Sequence, residues 1–137
     1  MADPTSVEEW LALAKQHEIA AKRLLTARQT TTQAVFHAGV AMECAIKAKI
    51  IREQRFNAWP TKSARPDLYT HDLSKLIVFA NIQLDPRSAT ASAWHVALQW
   101  DRNQGYDQPM PMRVARSMLE AAFGTQGILP WIRQSLT

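Results

Sequence analysis

The chain has 137 residues, the usual size of one domain around one core; its 47% hydrophobic and 20% charged content excludes a disordered polymer. Cys44 is the single cysteine, which excludes an internal disulfide and a cysteine-built zinc site within one chain. A net charge of +4 points mildly toward an acidic partner such as RNA, DNA or an acidic protein.

No apolar run reaches the length of a membrane span, and Met1 to Thr5 lacks the basic and apolar regions of a signal peptide. The expectation is a protein of the reducing cytoplasm with no membrane contact. Strict β-type alternation is absent, and the prolines fall mostly between segments of helical period. The chain therefore reads as all-α, one domain over 1–137 with its core at about 6–136.

In chain order, Ser6 and Glu9 form a capping-box pattern that should open the first helix. Val7, Trp10, Ala14, Ala21 and Leu24 or Leu25 then recur at helical spacing to about Arg28. Thr30 with Gln33 predicts a second capping box and a helix to about Gln54. Its middle, from Ala34 to Ile51, is apolar on almost every side, as in the central helix of a bundle. Its small residues, Ala38, Gly39, Ala41, Ala45 and Ala48, allow close approach of neighbours.

A long connection follows, with Pro60 and Pro66 and the basic side chains Arg52, Arg55, Lys62 and Arg65 in or just before it. A third helix is expected from His71 to about Asn81, with Leu73, Leu76, Ile77 and Ala80 inward. Asp85-Pro86 predicts a cap and first-turn proline for a fourth helix reaching about Asp101. After a polar loop, the last helical region should start near Met112 and be kinked or broken by Gly124, Gly127 and Pro130.

Three constellations can carry chemistry. Glu43 and Lys47 lie one turn apart in an apolar helix, where a charge is costly unless paired or set at a cleft. They make either an ion pair, internal or at the bundle edge, or a polar cleft whose glutamate orients a cationic side chain from another helix. His71-Asp72 opens the third helix, where an aspartate suits the exposed amides of the first turn. Arg102, Tyr106 and Asp107 share a glycine-containing loop, suited either to gripping a phosphate or merely to closing the loop. His17, His37, His71 and His95 fall on four segments with no metal-ligand spacing, so neither a metal nor a cofactor is expected.

Taken in order, the segment from Ala38 to Ala48 with Glu43 and Lys47, the stretch Tyr69 to Leu76 with its His-Asp-Leu, and Trp100-Asp101-Arg102 with Tyr106-Asp107 resemble a HEPN domain. The resemblance implies a four- to five-helix bundle that forms a homodimer, in a protein of a toxin–antitoxin or defence system. It implies an RNA or nucleotide ligand held through phosphate and, in ribonuclease members, metal-independent cleavage by an arginine followed a few residues later by a histidine. Arg102 matches that arginine, but no histidine follows it; Tyr106 stands in the stretch. The arginine-to-histidine spacing is met formally by Arg65 and His71.

The residues implied in catalysis are Arg102, Tyr106 and His71, with Arg52, Arg55, Lys62, Arg65 and Lys47 for nucleic-acid binding and Glu43, Asp72 and Asp107 in support. The alternative is a non-catalytic interaction module that dimerises or pairs with a nucleotidyltransferase-like partner. An exposed apolar patch at Trp59, Trp94 or Trp131 would favour that alternative.

Overall fold

The computed structural model describes residues 3–102 and 108–137; Tyr106 and Asp107 lie outside them. The chain is all-helical, with no strand among the described residues. Among the described residues six α-helices follow in order: α1 (Val7–Leu24), α2 (Thr31–Gln54), α3 (Leu73–Phe79), α4 (Ala91–Ala97), α5 (Met112–Phe123) and α6 (Ile128–Ser135).

The apolar character of α2 is explained by its place. It packs against α1, α3, α5 and α6, while α4 leans on α5. From Ala38 to Ala48 every α2 residue is buried, so no face of that stretch is left to solvate. Met42, Ile46 and Ile50 are among its largest fully buried side chains. None of the described helices is long and apolar enough to cross a membrane.

Ser6 caps α1 as expected, its Oγ accepting from the Glu9 amide at 3.1 Å. The expected second box does not form. Thr30 turns its hydroxyl back to donate to the carbonyls of Leu24 and Ala27, closing the α1–α2 turn instead of capping α2. The third helix starts at Leu73 rather than His71, because Asp72 is its cap and accepts from the Ser74 amide at 2.9 Å. That leaves His71 outside the helix.

The fourth helix is much shorter than expected. Asp85 Oδ1 accepts from the Arg87 amide at 2.9 Å, and the Ser88 and Thr90 hydroxyls pair at 3.2 Å. Such short polar side chains compete with a helix for backbone groups, so residues 85–90 form turns and α4 begins at Ala91. The final break falls at Gly124 to Gly127; Pro130 sits in the first turn of α6, where its missing N–H would have had no partner.

Two contacts fix the segment after α4. A Cβ on Gly39 would stand 1.8 Å from Cε2 of Trp100, so this glycine admits an indole rather than a neighbouring backbone. Beyond residues 103–107, the Thr31 and Thr32 hydroxyls donate to the carbonyls of Met110 at 2.6 Å and Gln108 at 3.1 Å. Gly39 lies one turn of α2 before Glu43, and Trp100 packed on it brings Arg102 to within 3.7 Å of the Glu43 carboxylate. The long connection after α2 is also held: Trp59 N donates to Thr5 O at 2.8 Å and Tyr69 Oη to Pro60 O at 2.8 Å.

Candidate functional site

Glu43 is the buried floor of a cleft of about 410 Å³ between α1, α2 and the connection that precedes α3. Lys47 Nζ donates to Glu43 Oε2 at 3.0 Å, and both side chains are nearly inaccessible. Lys47 is also enclosed by aromatic faces, 5.1 Å from the Trp10 ring centroid and 5.8 Å from that of Trp59. Trp10 and Trp59 themselves meet edge to face at 5.4 Å. This pairing and cation–π cover offset the desolvation of a buried lysine. The Glu43–Lys47 pair is an internal ion pair, and both residues line the cleft.

The other Glu43 oxygen faces outward. His71 Nδ1 lies 3.0 Å from Glu43 Oε1 and 3.1 Å from Oε2, and Arg102 Nη1 lies 3.7 Å from Oε1. Because a carboxylate accepts and a guanidinium only donates, the contacts fit a histidine that donates from Nδ1 to Glu43 and accepts at Nε2 from Arg102. Arg102 Nη1 lies 3.1 Å from Nε2 and 2.6 Å from Nδ1 of the same ring. The guanidinium also stands 5.6 Å from the Phe36 centroid. His71 is 54% exposed and Arg102 35% exposed, so both reach solvent above a buried carboxylate. A second depression, of about 510 Å³, shares His71 and Arg102 with Asp72 and Asp101.

A histidine pair adjoins the cleft. His17 on α1 and His37 on α2 stack at 5.1 Å between centroids, with their Nδ1 atoms 2.9 Å apart. His17 lines the cleft. Burial lowers the pKa of both imidazoles, and His37 lowers that of His17 further; Glu43 opposes and Arg102 adds to the shift on His17. The Cys44 thiol also lines the cleft, but burial pushes its pKa up to about 12, with the Glu43 charge adding to the rise, so it is inert as a nucleophile.

Of the residues expected from sequence, Glu43, Lys47, Lys62, His71 and Arg102 line this one cleft. Asp72 serves the α3 cap beside it. Arg52, Arg55 and Arg65 are not among its lining side chains. Arg52 donates to the Leu136 carbonyl at 3.0 Å, tying α2 to the end of α6. Arg55 ends α2 in a left-handed conformation, φ 58°. Arg65 makes a two-pronged pair with Asp67, at 3.0 and 2.8 Å. Trp59 and Trp94 are buried and Trp131 packs against the core, so no exposed tryptophan patch forms.

His17, Trp10 and Tyr69 are cleft residues that the sequence reading did not single out. His17 had a signal: it lies three residues after Ala14 and four before Ala21, on the buried stripe of α1. Among the described residues no cluster of three or more potential metal ligands occurs. The fold and cleft define a class no narrower than an all-α bundle with a cationic, histidine-bearing cleft. No family model, curated protein or solved structure matches the chain.

Proposed function

We propose that the cleft binds RNA through its phosphates and cleaves it without a metal ion, as a HEPN-like ribonuclease. One observation carries the reading. His71 and Arg102, 31 residues apart in the chain, meet above the buried carboxylate of Glu43. The arginine fork suits a phosphate, and a histidine held by a carboxylate suits proton transfer at neutral pH. In this reading His71 takes the place of the histidine that the stretch after Arg102 lacks. Lys62 at the cleft rim adds positive charge for the backbone of a bound strand. Homodimer formation and membership of a toxin–antitoxin or defence system belong to the same proposal, on the strength of the resemblance.

The test is incubation of a mixed RNA pool with purified protein in EDTA, beside Arg102→Ala and His71→Asn. Cleavage by the parent alone supports the reading. Intact RNA after incubation with folded parent protein refutes it and favours a non-catalytic module, for which exposed Val78 on α3 is the most prominent apolar side chain.

A further inference from the structure

The His17–His37 pair brings a second histidine, His17, into the lining of the cleft that holds His71. Transesterification of RNA moves two protons. The ribose 2′-hydroxyl loses one as its oxygen bonds to phosphorus, and the departing 5′-oxygen gains one as its bond to phosphorus breaks. The products are a cyclic phosphodiester end and a free 5′-hydroxyl end, with no redox change and no water consumed. A single imidazole would have to perform both transfers on opposite sides of the phosphorus. Two histidines on different walls of one cleft divide the work.

We propose that His17 is the general base of the cleft, that His71 is the general acid, and that His37 is a positioning residue that orients His17. This rests on the ribonuclease reading above. His17 Nδ1 faces His37 Nδ1 at 2.9 Å; in the tautomer this proposal requires, His17 donates from Nδ1 to His37 and its Nε2 is left to accept a proton from a ligand. Stacking at 5.1 Å, with Phe36 edge-on to His37 at 5.5 Å, restrains both rings. His71 is held by Glu43 through Nδ1, and its Nε2 lies 3.1 Å from Arg102 Nη1; in this proposal a bound phosphate draws the guanidinium away and the doubly protonated ring gives its Nε2 proton to the leaving oxygen. The charged and titratable groups acting on His17 are His37 and Glu43 from α2 and Arg102 from beyond α4. Burial keeps His17 neutral at pH 7, the state a base requires.

The experiment compares the parent with His17→Asn, His17→Gln, His37→Asn and His71→Asn on two substrates. One is single-stranded RNA. The other is a ribonucleoside aryl phosphodiester, whose phenolate leaves without needing a proton. Thermal unfolding of each variant is recorded alongside. Both His17 variants are expected to lose about 10²-fold or more on both substrates. His71→Asn should lose as much on RNA but little on the aryl diester. His37→Asn should move the acidic limb of the pH–rate profile to higher pH, since the protonated form of His17 is then less disfavoured; a residue serving only the fold would leave that limb in place.

Parent-like rates for folded His17 variants, with Arg102→Ala inactive, overturn the assignment and leave the ribonuclease reading intact. So does rescue of His17→Asn, rather than His71→Asn, by the aryl leaving group. No cleavage of either substrate by the parent overturns both.

Discussion

Gly39→Ala is a small change with a large geometric consequence. The new methyl would lie 1.8, 2.2 and 2.3 Å from three atoms of the Trp100 indole. Ordinary carbon contacts are about 3.5–4 Å, so the ring must recede by roughly 1.5–2 Å. If the indole slides within the core, overpacking costs about 1–3 kcal/mol. If it is expelled, losing some 150–250 Å² of burial at about 25 cal/mol per Å² costs roughly 4–6 kcal/mol. Alanine's better helix propensity offsets about 1 kcal/mol of either. The net expectation is a loss of about 0–2 kcal/mol if the ring slides and about 3–5 kcal/mol if it is expelled, read as a lower urea midpoint at unchanged slope. Because Arg102 follows Trp100 by two residues, the RNA affinity proposed for the cleft should fall as well. A variant more stable than the parent by about 1 kcal/mol, the propensity gain alone, would refute the wedge and the placement of Arg102 that depends on it.

Glu43→Ala should destabilise by about 3–5 kcal/mol in chemical denaturation, because Lys47 remains buried without its carboxylate; adding Lys47→Met should recover much of that loss. Arg55→Gly should raise stability by up to about 1 kcal/mol by relieving a left-handed non-glycine residue, and should leave RNA affinity unchanged because Arg55 does not line the cleft. Acidification should weaken the fold in two windows. His17 and His37 bind protons less readily folded than unfolded, so the unfolded chain gains protons first below about pH 6.5. Stability is full above that pH and falls as pH drops through the lowered folded values; replacing both histidines with asparagine should flatten the fall. Burial alone would raise the pKa of Glu18, but hydrogen bonds from Lys22 and Arg133 outweigh it and lower the value. A second loss is therefore expected below about pH 4.5, absent in Glu18→Gln.

What could be read from the sequence was local or uniform. A helix apolar on every side has one place in a bundle, so α2 declared itself as the centre. The Ser6 cap and the break at Gly124 rest on chemistry within a few residues and were equally legible. Glu43 was conspicuous because a charge in such a helix requires a reason. The resemblance set His71 and Arg102 among the same site's candidates, but their direct contact was not expected, since nothing local ties the two segments together. The His17–His37 pair depends on how α1 crosses α2, which helical period does not specify. The fit of Trp100 on Gly39 joins distant positions that look, respectively, like core aromatic and small helix residue. The expected fourth helix failed for a local reason that propensity misjudged: Asp85, Ser88 and Thr90 satisfied one another and the backbone in turns.

Imidazole nitrogen NMR on histidine-labelled protein, titrated with a 2′-O-methyl RNA oligonucleotide that binds but cannot be cleaved, tests the site most directly. The ring nitrogens of His71 should shift as the oligonucleotide saturates, and Arg102→Ala should abolish the shift while His95, on the outer side of α4, stays still in both. A saturated complex in which the His71 signals do not move, or move equally without Arg102, would contradict the claim that these two residues hold an RNA phosphate above Glu43.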